Sequence, residues 1–215
     1  MKFLKIIFLF YIALFYCTSI SWAVDDWEFW TGNTVKLKVN NNVSFDFIEE
    51  FRIKEDMSTF YQYVMYAGTY AKINKYIDTA IWYKFVGTKK HHCWKGTHRY
   101  DIDGILKYEL TGFKLSNRSR FEHNVSKNSY LYRDRVKISR DFETFGRKYT
   151  PYFFNEFFIT INPDGGYHEN RANVGISIDF FFRTKLVTYY MARAKKKGGH
   201  WKNANVLGAY VKMSF

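Results

Sequence analysis

The stretch that most constrains this chain runs from Phe113 to Ser139, FKLSNRSRFEHNVSKNSYLYRDRVKIS. It reads as two extended segments around a polar turn, Ser126-Lys127-Asn128-Ser129. Ser116, Arg118, Arg120 and Glu122 share one parity, and so do Leu131, Arg133, Arg135, Lys137 and Ser139. Successive strand side chains point to opposite faces, so this spacing lays a ladder of charge along one side of a hairpin. On a helix the same charges scatter around the axis, and the intervening Tyr, Val, Ile and Phe favour strand. A water-soluble sheet turns such a ladder outward. The rest of the sequence predicts that it faces inward.

The first residues, MKFLKIIFLFYIALFYCTSISWA, carry Lys2 and Lys5, an apolar run from Ile6, and Ser21 and Ala23 at a small-residue cleavage site. These are the three parts of a secretory signal peptide, expected over residues 1–23. Cys17 follows Phe15 and Tyr16, which are bulkier than a lipoprotein processing site accepts. Residues 24–215 then suit a single domain with Cys93 as its one cysteine, so no disulfide framework is expected. Removing Lys2 and Lys5 from 33 basic and 20 acidic residues leaves 31 − 20 = +11. A basic balance suits nucleic acid, anionic lipid or an anionic solute, and export argues against nucleic acid. No second apolar run approaches the length of a membrane helix, so any crossing is expected from strands.

Strand-like runs recur at 27–40, 43–54, 60–74, 77–88, 98–110, 113–125, 130–141, 151–162, 170–181, 184–195 and 204–215. Most exceed the five or six residues of a soluble strand and match the length that crosses a bilayer. Asn40-Asn41-Asn42, Asn74-Lys75-Tyr76 and Thr111-Gly112 read as tight turns. Residues 89–97, 163–169 and 196–203 read as long polar connections, an alternation typical of outer-membrane barrels. The expected fold is therefore all-β, an antiparallel transmembrane β-barrel of about 10–12 strands, with a soluble periplasmic β-domain as the alternative. Eleven runs sit awkwardly with even-numbered bacterial barrels, unless a further strand hides in 25–32, one boundary is misplaced, or the N-terminus threads the lumen. Asn117, Ser119 and Asp134 also fall on the face expected to meet lipid. In the last segment Leu207, Ala209, Val211, Met213 and Phe215 share one face. A final strand ending in an aromatic residue is similar to the signal read by the barrel-assembly machinery.

Several pieces together resemble the outer-membrane family called domain of unknown function 2490. They are Trp27 and Trp30, Glu50 with Arg52, Arg118-x-Arg120-x-Glu122, Tyr132-Arg133-x-Arg135, Pro151 followed by Asn155-Glu156, and Arg171 with Gly175. The resemblance runs over nearly the whole mature chain and implies an outer-membrane barrel of about ten to twelve strands. It implies no activity.

The candidate site is a charge ladder in the lumen: Glu50, Arg52, Arg118, Arg120, Glu122, Arg133, Arg135, Glu156 and Arg171, with Asp46 beside it. Such residues either satisfy each other as buried ion pairs or form a basic eyelet for anions. His91, His92, Cys93 and His98 are weak metal candidates whose spacing matches no standard zinc pattern. No metal or other cofactor is expected. For catalysis, Glu122 and His123 are adjacent and face opposite ways, which spoils the simplest dyad with Ser126 or Ser129. Trp27, Trp30, Tyr61, Tyr63, Trp82, Tyr83, Tyr152, Tyr189 and Tyr190 read as interfacial girdles. The functional expectation is a narrow channel or binding barrel for a small anionic solute, surrounded by outer-membrane lipids and lipopolysaccharide. A lipid-modifying enzyme and a non-conducting structural barrel are the alternatives.

Overall fold

A computed structural model describes residues 25–90, 93–162 and 165–215. The expected signal peptide lies outside the described residues, as do His91, His92, Pro163 and Asp164. Eleven long strands follow in order: β1 (Asp26–Lys38), β2 (Val43–Lys54), β3 (Thr59–Lys72), β4 (Ile77–Lys90), β5 (Cys93–Leu110), β6 (Phe113–Asn124), β7 (Ser129–Arg140), β9 (Arg147–Thr160), β10 (Gly166–Asp179), β11 (Thr184–Lys197) and β12 (His200–Ser214). A short β8 (Phe142–Thr144) only pairs back onto the start of β9. Each long strand pairs with the next in the chain, and β12 pairs with β1, so the sheet closes into a barrel.

Closure settles the odd strand count. Ten successive reversals make the first and eleventh strands run the same way, so the seam is parallel, from Asp26↔Ala204 to Lys36↔Ser214. Asp25–Gly32 hides no extra strand; it is the beginning of β1. The terminal residue is tied into the seam. Phe215 N–H donates to Lys36 O and Lys38 N–H donates to Phe215 O, both at 2.8 Å. The barrel is thus antiparallel except at this one junction.

The tight turns have local causes. Asn40 Oδ1 accepts from the Asn42 and Val43 amides, and Asn74 Oδ1 accepts from those of Tyr76 and Ile77. These side chains stand in for a backbone turn, as Asn commonly does. Two of the expected long connections are corrected. Lys89↔Trp94 and Lys90↔Cys93 extend the β4–β5 hairpin, and Lys195↔Lys202 to Lys197↔His200 extend β11–β12 up to Gly198-Gly199. Polar composition gives these segments the look of a loop, but on an exposed hairpin both faces meet water and strand pairing tolerates lysine.

At the tight-turn end, beyond the long strands, Asp141 accepts from Lys114 Nζ (2.6 Å), Lys148 Nζ (2.6 Å) and Thr150 Oγ1 (2.8 Å). Partial burial acts against ionisation, but these donors hold the carboxyl below its ordinary range. A depressed folded-state pKa gives stability that is present above the unfolded value and is lost as pH falls. Asp141→Asn is therefore expected to remove an acid-dependent contribution, measured as the urea midpoint between pH 7 and 3. Because the partners are partly exposed, about 0.2–1 kcal/mol is at stake. Closure has its own test. With Cys93→Ser, a cysteine pair at the seam (Asn33→Cys and Val211→Cys, register partners) should be bridged by a short bis-thiol reagent in the folded protein and not in urea.

Candidate functional site: an ion-paired lumen

Burial alternates along the strands. On β4 the buried positions include Asp78, Ala80, Trp82, Lys84 and Val86, and on β1 they include Glu28 and Trp30. The opposite parity carries exposed Ile81, Ile102, Leu106, Phe121 and Val136. Charged side chains occupy the inside of this barrel and large apolar ones the outside.

The β6–β7 hairpin sets the problem that its neighbours solve. Its register puts Arg118 opposite Arg135 and Arg120 opposite Arg133. Directly opposed like charges destabilise a strand pair. Strand β5 answers on one side: Arg120 Nε donates to Asp103 Oδ1 (2.5 Å), Arg120 Nη2 to Asp103 Oδ2 (2.7 Å) and Arg120 Nη1 to Asp101 Oδ2 (2.8 Å). Strand β9 answers on the other, where Glu156 Oε1 accepts from Arg118 Nη2 (2.5 Å) and Arg133 Nη2 (3.0 Å). Glu122, 2% exposed, is held by Lys84 of β4 and by Arg99 Nη1 at 2.5 Å.

A second cluster surrounds Trp30. The Arg52 guanidinium stacks 3.8 Å from the centre of its ring, with Arg171 at 5.1 Å and Arg193 at 5.7 Å. Arg52 pairs with Glu50, which also accepts from Tyr210 Oη at 2.6 Å. Arg171 and Arg193 share Glu169, and Arg193 Nη1 donates to Glu28 Oε1 at 2.8 Å. The Trp30 indole N–H and Tyr61 Oη both reach Glu28 Oε2. Cation–π stacking and paired carboxylates thus hold three guanidiniums around one ring.

Of the predicted ladder, Arg118, Arg120, Glu122, Arg133 and Glu156 join one network; Glu50, Arg52 and Arg171 join the Trp30 cluster. Arg135 lies over the Phe154 ring at 5.2 Å with no ion pair among the described residues. Asp46 faces Lys36 at 3.7 Å and accepts from Ser44 Oγ. Sequence reasoning missed Glu28, Lys84, Asp101, Asp103, Glu169 and Arg193. Their signal was parity: each sits at an even spacing from an inward residue on its own strand. The girdle reading is corrected for four of its residues, while Trp27, Tyr83 and Tyr190 are exposed. Trp30 and Trp82 are buried, and Tyr152 and Tyr189 pack against the core, because they share parity with the charged interior.

The other candidates separate. Cys93 is exposed, and His98 Nδ1 lies 2.7 Å from Tyr83 Oη. Among the described residues no group of three His, Cys, Asp or Glu could hold a metal. His123 stacks on Tyr130 at 4.7 Å while Glu122 is in the interior network, and Ser126 Oγ accepts from the His98 amide. The polar residues on the outer wall satisfy each other. Asn117 Nδ2 donates to Asp134 Oδ1 (2.7 Å) and Ser119 Oγ to Asp134 Oδ2 (2.9 Å), and Asn155 and Asn170 exchange amide hydrogen bonds.

The fold and interior together define a closed eleven-stranded barrel with an ion-paired lumen. A family model described as "Protein of unknown function (DUF2490)" matches residues 27–204, and the chain belongs to that family. Among curated proteins none matches it.

If the acids compensate the arginines as the geometry indicates, Glu156→Ala leaves Arg118 uncompensated and Arg133 with only Glu122, at 3.6 Å. A loss of about 3–5 kcal/mol is expected from urea unfolding, as for other broken buried pairs. Adding Arg118→Leu should recover part of it. A loss below about 1 kcal/mol would mean that water screens these pairs.

Proposed function

We propose that the protein is a bacterial outer-membrane β-barrel that holds a small anionic solute in its lumen. The observation that carries this reading is the inversion of its two faces. Exposed Ile81, Ile102, Leu106, Phe121 and Val136 form an apolar outer wall, while Glu122, Asp101 and Arg120 are buried inside. An apolar exterior on a closed sheet suits lipid, because closure leaves no unpaired strand edge in hydrocarbon. On this reading residues 1–23 direct export, the strand ending at Phe215 is read during assembly, and phospholipid and lipopolysaccharide surround the wall.

Binding is favoured over free conduction by the middle of the barrel. Trp30 and Phe158 are each 3% exposed and Asp101 is fully buried. Arg133 and Arg171 stack on Phe158, so side chains rather than water fill this level. The mature chain refolded with liposomes should float with them and resist carbonate extraction. In a planar bilayer it should give no sustained conductance steps. Failure to float would overturn the membrane assignment; anion-selective steps reduced by Arg118→Ala or Arg133→Ala would replace the binding barrel with an open channel.

A further inference from the structure

At the middle of the barrel the cations are matched. Arg120 has Asp101 and Asp103, Arg118 and Arg133 share Glu156, and Lys84 has Glu122. Toward the tight-turn end this matching stops. Arg135 and Lys137 of β7 and Lys212 of β12 have no ion pair among the described residues, and the two β7 cations instead face aromatic rings. Arg135 lies over Phe154 at 5.2 Å and Lys137 over Tyr152 at 4.5 Å.

Strands β7 and β12 stand four places apart in the eleven-membered ring, so Lys137 and Lys212 face each other across the lumen rather than along one wall. Both share parity with a buried residue of their own strand, Arg133 and Tyr210, and both lie near the same end of the barrel, Lys137 close to the end of β7 and Lys212 close to the end of β12. The carboxylates in reach are already engaged. Glu156, beside Arg135 in the register, takes Arg118 and Arg133; Asp46 takes Lys36 and the Ser44 hydroxyl. Lys185, the register partner of Lys212, pairs with Asp179. Three positive charges therefore gather at one end of the lumen, where the nearest carboxylates, Glu156 and Asp46, are already shared with other cations. Like charges held together are unfavourable unless an anion joins them.

We infer that Arg135, Lys137 and Lys212 form a binding site for a phosphoryl group at the tight-turn end of the barrel. A phosphoryl group carries close to two negative charges near neutral pH and has oxygens enough for three donors. The Arg135 guanidinium suits two of those oxygens, and the lysines act as point charges. Trp30 and Phe158, each 3% exposed, fill the level beyond it, and Lys212 is exposed. Tyr152 and Tyr189 form the wall of the site. Each ring covers a glycine: a Cβ at Gly175 would lie 2.6 Å from the Tyr152 ring, and one at Gly208 would lie 2.1 Å from that of Tyr189. This site rests on the reading of the chain as an anion-holding barrel and gives that anion a class and a place.

The test uses the refolded mature chain in detergent micelles, titrated with inorganic phosphate and with glycerol phosphate at constant ionic strength. Saturable binding by calorimetry is expected, with a rise in the unfolding midpoint larger than chloride or acetate produces. Arg135→Ala, Lys137→Met and Lys212→Ala should each weaken phosphate binding about tenfold, while Lys197→Ala at the far end leaves it unchanged. Phosphate should also protect Lys137 of the unmutated protein from acylation, read by peptide mass spectrometry, so the outcome does not depend on the variants folding. Equal shifts with chloride, or acylation of Lys137 unaffected by phosphate, would overturn the site. Flotation with liposomes is scored separately: a barrel that floats but ignores phosphate loses this site and keeps the membrane reading.

Discussion

The structure depends on the four arginines of one hairpin. Arg118 faces Arg135 and Arg120 faces Arg133 across β6–β7, an arrangement that an isolated hairpin could not hold. Asp101 and Asp103 from β5 and Glu156 from β9 supply the negative charge. Their pairing therefore selects which strands flank the hairpin and in what register, since a slip by one residue sends every charge to the other face. Buried ion pairs gain little net stability but are costly to break. Their contribution here is to the specificity of strand order.

The same parity that collects charge inside puts isoleucine, phenylalanine and valine outside. Within the chain a small hydrophobic cluster of Trp30, Val187, Met191, Val206 and Tyr210 packs near the β12 seam, and Val64, Ala80, Trp82, Val86 and Phe158 are also buried. Much of the exposed apolar surface lies on the outer wall instead, including Ile81, Ile102, Leu106, Phe121 and Val136. The few polar groups on that wall are disarmed by mutual hydrogen bonds, with Asp134 saturated by Asn117, Ser119 and Tyr132.

Along its axis the lumen changes character. Its middle is a lattice in which cations, carboxylates and aromatic rings account for one another. Its tight-turn end keeps Arg135, Lys137 and Lys212 without fixed partners. On the proposed reading, the contrast separates charge that organises the fold from charge left for a ligand, and the filled middle makes the lumen a receptacle rather than a passage.

Strand positions were legible from residue alternation, because each strand repeats with period two and Asn-rich turns interrupt it. The β6–β7 ladder was legible for the same reason. Less legible were the hairpin extensions at Lys89–Trp94 and Lys196–Trp201, where lysine composition imitates a loop although the backbone still pairs. The partners of the ladder were not legible either. Asp101, Lys84 and Glu169 lie on strands whose adjacency emerges only when the sheet curls and closes. By itself the sequence determined an all-β chain of about ten to twelve strands and the faces of those strands. Tertiary structure decided the parallel β1–β12 seam and which arginine meets which acid. It also decided which cations remain unmatched. The physical reason is that pairing across a closed lumen joins residues far apart in the chain, which no local pattern records.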